Sequence, residues 1–378
     1  MQRQQQLVQW LHSLFPGKSF TLAPASADAS FRRYFRVTFQ HHEKSDGQAN
    51  RREQPEMQGV AQRAPTHASQ AGEARASTQH GRSGAQQLGT LIAMDAPPGK
   101  EDCRPFLHIA GLFEEAGTHV PHVYAQDLEQ GFLLLSDLGN TTYLQALTTA
   151  NARDLYGAAT DALIRIQLAS RANELPAYDQ ALLLREMRLF PYWYVARHLK
   201  VTLSDEQNIK LEKIFARIID NNLAQARVYV HRDYHSRNLM KLEENNPGIL
   251  DFQDAVYGPI TYDLASLFKD AYIHWEEPQV MDWLIRYWEK ARKAGLPVHD
   301  DFGRFYSDYE WMGVQRHLKV LGIFARLYYR DGKEGYLKDL PLVMSYLRAA
   351  CARYIDLKPL LELLDELEPL EKQVGYTF

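Results

Sequence analysis

The sequence runs His231-Arg232-Asp233-Tyr234-His235-Ser236-Arg237-Asn238 through one polar loop and then Ile249-Leu250-Asp251-Phe252 out of a short apolar run. Residues 239–250, between the two stretches, have apolar ends and the turn-forming residues Glu243-Glu244-Asn245-Asn246-Pro247-Gly248 in the middle. That pattern predicts a β-hairpin. Because a hairpin brings its two ends together, we expect Asn238 and Asp251 to lie side by side.

These polar side chains match the needs of phosphoryl transfer. The reaction requires a carboxylate that orients the attacking hydroxyl and accepts its proton, and oxygen ligands for the Mg²⁺ that neutralises the triphosphate. Asp233 suits the catalytic role, and Asn238 and Asp251 suit the role of metal ligands. The pattern predicts a phosphotransferase that uses ATP and Mg²⁺. The alternative is a surface hairpin whose Asp and Asn residues only cap turns.

Length and composition narrow the class of protein. A chain of 378 residues with 45% hydrophobic residues is long enough for two domains or two large lobes, each with a core. The net charge of −4 gives no positive field for nucleic acid. No apolar run is long enough to span a membrane, the N-terminus lacks a signal peptide, and the two cysteines suit a reducing compartment. We therefore expect a cytoplasmic monomer.

The order of the elements predicts an α+β fold. Apolar residues at helical spacing predict a first helix over residues 4–14 and a second over 104–116. From residue 151 onward the chain is mostly helical, with a capping box at Ser204 and Gln207. Strand patterns occur at residues 20–24, 31–39, 88–94, 123–124 and 131–135. Strands at one end and helices at the other form two lobes.

Residues 41–87 differ in composition from the rest of the chain. They contain no Phe, Tyr, Trp, Leu or Ile and are rich in Gln, Ala, Arg, Ser, Gly and His. Such a segment cannot bury enough apolar surface to offset its ordering entropy. We predict a disordered insertion at a hairpin tip, where insertions are tolerated. A basic nucleic-acid arm is the alternative, but acidic residues dilute its charge and it lacks stacking aromatics.

Strands, one helix, a linker and a helical lobe resemble the protein-kinase-like fold. The resemblance implies an N-lobe at residues 1–136, with a nucleotide-binding sheet, and a C-lobe at residues 137–378 with the catalytic loop and the substrate site. The pattern His-x-Asp-x-His-x-x-Asn resembles the aminoglycoside phosphotransferase superfamily, and it is carried here by His231, Asp233, His235 and Asn238. Protein kinases usually have Lys at the position of His235, so the resemblance favours a small-molecule acceptor.

Three further segments resemble the bacterial anomeric N-acetylmuramate/N-acetylglucosamine kinase family of peptidoglycan recycling. They are residues 25–36, 251–259 and 262–267. The resemblance implies ATP-dependent phosphorylation of the anomeric hydroxyl of an amino sugar, which feeds UDP-sugar synthesis. The chain departs from the kinase pattern in two places: no Gly-rich loop precedes the second strand, and the third strand ends in Met94-Asp95 where kinases have a lysine.

Other residues must therefore meet the ATP. Ser26 and Ser30 stand where a kinase has its Gly-rich loop, and Ser136, Asp137 and Leu138 lie in the connector between the lobes. Arg33 shares a strand face with Phe31, Phe35, Val37 and Phe39, and a charge on an apolar face needs a partner. That partner is either a phosphate or one of the carboxylates of Glu114 and Glu115. Arg32 and Arg36, on the other face, are expected in solvent.

The substrate candidates are His235, Asp254, Trp193 and Arg197. His235 either contacts the substrate or supports the loop, and Asp254 either contacts the sugar or closes a turn. Trp193 either packs in the core or stacks on a sugar ring, and Arg197 suits an acidic sugar. Tyr272, His274 and Trp275 form a similar aromatic cluster. His231 is expected to support the loop backbone, and Asp263 to cap a helix or brace the loop.

Three functions remain open from the sequence. The first is a kinase of the anomeric sugar hydroxyl. The second is a kinase of the same fold for another alcohol, such as an aminoglycoside, choline or homoserine. The third is a catalytically inactive binding protein, which the absent lysine favours and the intact set of Asp233, Asn238 and Asp251 opposes.

Overall fold

The structure is a computed structural model and describes residues 2–27, 31–40 and 89–369. The chain forms two compact units: residues 1–104 with 121–137, and residues 105–120 with 138–378. The lobe boundary expected between residues 136 and 137 lies next to the last of these junctions, whereas residues 105–120 group with the second unit. The insertion predicted at 41–87 lies outside the described residues.

The first unit is an antiparallel sheet with one helix. The strands are β1 (Phe20–Ala27), β2 (Arg33–Phe39), β3 (Thr90–Asp95), β4 (Val123–Asp127) and β5 (Phe132–Ser136), in the spatial order β1-β2-β3-β5-β4. The helix α1 (Gln2–Leu14) buries Leu7, Trp10 and Leu11 in the core of this unit. The rings of Trp10 and Phe132 lie 5.6 Å apart there. The apolar spacing that predicted this helix is its buried face.

The strand alternation predicted for β2 holds only in part. Phe35 and Val37 are buried, but Phe31 precedes the strand and is 58% exposed. Arg33 begins the strand, where it pairs in register with Asp95 of β3. Its position at the strand end explains how a charge is tolerated on this face.

The second unit is mainly helical, as predicted. Its helices are α2 (Arg104–Glu115, which belongs to this unit from Pro105), α3 (Tyr143–Ala146), α4 (Ala152–Leu168), α5 (Gln180–Met187), a π-helix (Phe190–Leu199), α6 (Asp205–Leu223), α7 (Tyr262–Phe268), α8 (Glu277–Lys293), α9 (Phe302–Tyr329), a 3₁₀ helix (Glu334–Asp339), α10 (Leu340–Arg353), a short 3₁₀ turn (Ile355–Leu357) and α11 (Lys358–Leu367). The predicted capping box of α6 is confirmed, because Ser204 accepts from Gln207 N and Gln207 accepts from Ser204 N.

Two short strand pairs frame the polar loop. β6 (Arg227–Val230) pairs antiparallel with β9 (Val256–Pro259), and β7 (Leu239–Met240) pairs antiparallel with β8 (Gly248–Ile249). The loop of residues 231–238 joins β6 to β7. The predicted hairpin is therefore confirmed, with Leu239 opposite Ile249.

The long helix α9 is the buried centre of the second unit. Besides its apolar side chains it buries Gln315, Arg316, His317 and Lys319, each at most 5% exposed. Buried charges require partners, so this helix marks a polar site inside the unit. Across residues 2–27, 31–40 and 89–369, none of the helices has the length and apolar character that crossing a bilayer requires.

Candidate active site

Asp263 holds the backbone of the polar loop in place. The carboxylate of Asp263 accepts hydrogen bonds from His231 N at 2.7 Å and from Arg232 N at 3.0 Å. Arg232 has a φ of 76°, a left-handed conformation that non-glycine residues rarely adopt, and these bonds hold it there. Burial raises the pKa of Asp263 to about 7, although both backbone hydrogen bonds favour the charged form. Asp263 thus braces the loop, as expected.

The ring of His231 links the loop to the hairpin. Its Nδ1 accepts from Asp233 N at 3.2 Å, and its Nε2 donates to Leu250 O at 2.9 Å. Burial lowers the pKa of His231 to about 4, so the ring is neutral at physiological pH. A neutral ring with one donating and one accepting nitrogen satisfies both contacts. His231 therefore supports the backbone that carries Asp233.

Asp233 presents a carboxylate anion to solvent. Its side chain is 39% exposed, and Arg316 Nη1 lies 3.9 Å from its Oδ1. Desolvation of the Asp233 carboxylate by the surrounding protein would raise its pKa, but the cations of Lys319 and Arg316 outweigh that effect and hold the pKa well below its ordinary range. Asp233 is therefore ready to accept a hydrogen bond from an acceptor hydroxyl.

A buried charge network lies behind Asp233. Glu186 pairs with Arg232 and with Lys319, the latter at 3.3 Å. Arg316 donates to Arg232 O at 3.0 Å, so α9 contacts the catalytic loop directly. Arg316 and Lys319 also reach the Tyr262 hydroxyl, at 3.3 and 3.0 Å. The network fixes the cations that keep Asp233 charged.

This network was not predicted from the sequence. The signal was present, because Gln315, Arg316 and Lys319 interrupt an otherwise apolar helix. Charges on a buried helix imply partners of opposite sign or a functional site. The partner Glu186 lies far away in the chain, on α5, and only the folded structure brings it close.

Asn238 and Asp251 lie side by side at the base of the hairpin, as predicted. Asn238 Nδ2 donates to Asp251 Oδ2 at 3.2 Å and to Asp233 O at 3.0 Å. Gln253 Nε2 donates to Asp251 Oδ1 at 2.8 Å, which orients the carboxylate from the other side. Asp251 has a φ of 62°, a conformation set by the turn that follows β8. Asp233, Asn238 and Asp251 thus form one group.

The donor set of this group suits Mg²⁺. Carboxylate and amide oxygens are hard ligands, and Mg²⁺ in nucleotide sites takes one or two carboxylates together with waters and phosphates. Asp251 supplies the carboxylate. The two hydrogen bonds of the Asn238 side chain described above both use Nδ2, which leaves its amide oxygen for the metal. In the described part of the chain no three His, Cys, Asp or Glu side chains cluster as an all-protein metal site.

His235 and Asp254 differ in their surroundings. The ring of His235 lies edge-on to Tyr272, with centroids 5.4 Å apart, and its buried Nδ1 has no hydrogen-bond partner among the described residues. Burial lowers the pKa of His235. Asp254 is exposed, and its carbonyl accepts from Arg232 Nη1 at 3.3 Å. Both roles in substrate binding stay predictions.

Trp193 and Arg197 lie on the π-helix, which contacts α9 through His198. The ring of Trp193 contacts Tyr192, and the neighbour of Arg197, His198, bonds to the Tyr329 hydroxyl at 3.3 Å. Tyr329 ends α9, about 20 Å along the axis from Arg316 at 1.5 Å per residue. The substrate roles predicted for Trp193 and Arg197 gain no support from these contacts.

The residues expected at the nucleotide have structural partners within the first unit. Ser136 Oγ accepts from His122 N at 2.9 Å, and Asp137 accepts from Thr90 Oγ1 at 2.7 Å. Ser26 lies in β1, and Ser30 lies outside the described residues. Leu138, in the second unit, is buried against Gly248, where an added Cβ would come within 2.9 Å of its Cδ1. Their contacts with ATP stay predictions.

The partners expected for the arginines of β2 need correction. Arg33 pairs with Asp95, not with Glu114 or Glu115, because β2 and β3 are neighbours in register. Asp95 is fully buried and also accepts from Arg3 Nε at 2.9 Å.

The expectation that Arg32 and Arg36 lie in solvent is wrong, because both are paired with carboxylates. Arg32 pairs with Glu101 at 3.2 Å, and Arg36 donates to Asp137 Oδ1 at 3.0 Å. Both side chains are less exposed than that of Arg33. Glu101 and Asp137, which pair with these arginines, lie in loops outside β2. The alternation of side chains along the strand could not predict these partners.

The comparisons agree with this geometry. A model of the phosphotransferase enzyme family (APH) matches residues 21–302, a range that contains the polar loop and the hairpin. The chain belongs to this family. It is therefore an enzyme that transfers phosphate to a hydroxyl acceptor, and the binding-protein alternative is excluded.

Relatives match over almost the whole chain. A protein of Pseudomonas aeruginosa named N-acetylmuramate/N-acetylglucosamine kinase is 46% identical over 97% of both chains. One of the same name from Neisseria meningitidis is 44% identical over 100% of both chains. An ADP-bound aminoglycoside phosphotransferase of known structure is 12% identical, with a TM-score of 0.51 over 90% of this chain and 97% of its own. That likeness confirms the predicted kinase-like fold.

Proposed function

We propose that this enzyme uses ATP to phosphorylate the anomeric hydroxyl of N-acetylmuramate and N-acetylglucosamine. Relatives with that name are 43–46% identical over at least 97% of this chain. The observation that carries the proposal is the group of Asp233, Asn238 and Asp251. It combines a base with two candidate ligands for Mg²⁺. The product is a sugar 1-phosphate for UDP-sugar synthesis in cell-wall recycling.

Asp233 orients the sugar and receives its proton. As the bond between the sugar O1 and the γ-phosphorus forms and the bond to ADP breaks, the hydroxyl proton passes to the Asp233 carboxylate. An anomeric hydroxyl is more acidic than an ordinary alcohol, so a base of low pKa suffices. The Arg316 guanidinium, 3.9 Å from Asp233, keeps that carboxylate charged and fixed.

Asn238 and Asp251 would hold Mg²⁺, and Gln253 would keep the Asp251 carboxylate turned toward it. The metal ion, when bound, neutralises charge on the triphosphate. For the nucleotide we retain Ser26, Ser30, Arg33, Ser136, Asp137 and Leu138 as proposed contacts. Arg33 is the weakest of them, because Asp95 already pairs with it.

The test is a substrate panel. ATP consumption is measured with N-acetylmuramate, N-acetylglucosamine, kanamycin and choline, and the phosphorylated position is read by phosphorus NMR. We expect turnover of both amino sugars, with the phosphate on O1. The methyl glycoside of N-acetylglucosamine, blocked at O1, should be inert. Turnover of the methyl glycoside as fast as the free sugar would place the phosphate elsewhere and favour an aminoglycoside-like enzyme.

A further inference from the structure

The loop that carries Asp233 also carries a cation without a counter-ion. Arg237 lies next to Asn238, and among the described residues it has no hydrogen bond and no carboxylate within 4.0 Å. Its side chain is half-buried rather than free in solvent. A partly desolvated guanidinium without a partner is unfavourable unless something binds it.

Aromatic rings fix the orientation of this guanidinium. The Cζ atom of Arg237 lies 3.7 Å from the centroid of the Tyr272 ring and 5.9 Å from that of Tyr336. Tyr272 is itself held by Phe324, at 5.9 Å between centroids. Stacking restrains the guanidinium plane but leaves the N–H groups at its edge available. Arg237 is thus a preorganised donor fork.

The acids near Arg237 do not satisfy it. Asp270 uses both carboxylate oxygens on the backbone, accepting from Ser236 N at 2.9 Å and from Tyr272 N at 3.0 Å. Asp339 lies within electrostatic range of Arg237 but outside ion-pair distance, and burial raises its pKa against the opposing effects of Lys338 and Arg237. The edge of Arg237 remains unoccupied by the described part of the chain.

The position of Arg237 relates it to the acceptor. Asn238 Nδ2 donates to Asp233 O, so the loop turns back on itself and residues 233 and 238 are neighbours in space. A group bound by Arg237 is thus held by the same short, folded loop that carries Asp233. His235, whose ring contacts Tyr272, lies within electrostatic range of both Asp233 and Arg237.

We propose that Arg237, stacked on Tyr272, binds the carboxylate of the lactyl ether of N-acetylmuramate. This proposal rests on the proposed function. It concerns the group that distinguishes the two sugars, because N-acetylglucosamine lacks that carboxylate. A guanidinium fork matches a carboxylate with two parallel hydrogen bonds. The enzyme then binds the acidic sugar through Arg237, whereas the neutral sugar binds without contacting Arg237.

The experiment compares kcat/KM for the two sugars in three variants. Arg237→Gln removes the charge, Arg237→Lys keeps the charge without the planar fork, and Arg153→Gln makes the first change on the exposed face of α4. We expect Arg237→Gln to lower kcat/KM for N-acetylmuramate about 10- to 100-fold, the usual range for a lost hydrogen bond to a charged group. The value for N-acetylglucosamine should change less than about threefold. The lysine variant should fall between the wild type and the glutamine variant, and Arg153→Gln should match the wild type.

A neutral sugar provides an independent check. The methyl ester of N-acetylmuramate keeps the shape of the lactyl group without its charge. We expect the wild-type enzyme to prefer the acid to the ester, and the Arg237→Gln variant to lose that preference. Retained turnover of N-acetylglucosamine shows at the same time that the variant is folded.

Several outcomes overturn the proposal. Equal losses with both sugars would make Arg237 a support for Asn238, and a raised KM for ATP with both sugars would make it a phosphate contact. Unchanged kinetics with N-acetylmuramate would show that Arg237 binds no substrate. Each of these leaves the kinase function intact. If the wild-type enzyme turns over neither sugar, the proposed function is wrong and the carboxylate site is rejected with it.

Discussion

Asp233 combines exposure with a charge that its surroundings maintain. Its carboxylate faces solvent, while Arg316 and Lys319 hold its pKa below the ordinary range against the effect of burial. A base of low pKa is weak as a proton acceptor but effective in orienting a hydroxyl. Asp233 therefore contributes mainly by positioning the hydroxyl. This agrees with phosphoryl transfer in general, where catalysis comes largely from positioning and electrostatic stabilisation.

We predict that Asp233→Asn folds but loses nearly all turnover. The amide keeps the shape of the side chain and removes the oriented acceptor, and a positioned base contributes roughly 10²-fold or more. Steady-state kcat and the thermal unfolding midpoint measure the two effects. Asp220→Asn, on the exposed face of α6, is the control for loss of a carboxylate. More than about a tenth of wild-type kcat in Asp233→Asn would refute the assignment.

We predict that Asp251→Ala abolishes Mg²⁺-dependent turnover and that Asn238→Ala weakens it. Asp251 would contribute a charged ligand and Asn238 a neutral one, and Asn238 also holds Asp251 in place at 3.2 Å. Titration of activity with MgCl₂ should show no saturation for the first variant and a raised half-saturation concentration for the second. The same metal dependence in both variants and the wild type would show that the metal binds elsewhere.

Helix α9 carries the charges that control the loop. Arg316 is 5% exposed and contacts Arg232 O and the Tyr262 hydroxyl, so it acts on Asp233 from inside the core. A buried ion network of this kind is weak evidence for stability, because desolvation opposes the Coulomb attraction. The consequence of this network is electrostatic, because its cations keep Asp233 in the adjacent loop charged.

We predict that Arg316→Met moves the acid limb of the pH profile of kcat/KM to higher pH. Loss of the cation removes one of the groups that lower the pKa of Asp233, so its pKa rises and protonation begins at higher pH. Activity is then lost at mildly acidic pH where the wild type retains it. Arg316→Lys, which keeps the charge, should have an acid limb close to that of the wild type. Identical profiles for the Met variant and the wild type would show that Arg316 does not act through Asp233.

The elements that the sequence predicted are those with a local signal. The hairpin of residues 239–250 was predictable because its turn residues and apolar ends are contiguous in the sequence. The capping box of Ser204 and Gln207 predicted the start of α6 in the same way. The partners of Arg32, Arg33 and Arg36 were not predictable, because Glu101, Asp95 and Asp137 come from other segments. The site was predictable at Asp233, Asn238 and Asp251, whereas Glu186 and α9 required the tertiary structure.

At the scale of the whole molecule, residues 41–87 lie outside the part of the kinase-like fold that the structure describes. The two strands that flank them are paired in register: Thr38 of β2 lies opposite Thr90 of β3. The ends of a shortened loop would therefore meet at the distance of neighbouring antiparallel strands, which a short turn can bridge. Among the described residues, the core of the first unit is built from the helix and strands already named.

We predict that replacing residues 41–87 with a short Asn-Gly turn leaves kcat and the thermal unfolding midpoint nearly unchanged. Met57 and Val60 are the segment's only apolar residues larger than alanine or proline, and shortening a loop changes its closure entropy by only about 0.6 kcal/mol per halving of length. A second variant, in which a Gly/Ser segment of equal length replaces the same residues, separates the effect of length from that of composition. A large loss of activity or stability in both variants would mean that residues 41–87 contact the folded enzyme. A loss in the short variant alone would mean that the strand ends need a longer connection, and the requirement would then be one of geometry rather than of sequence.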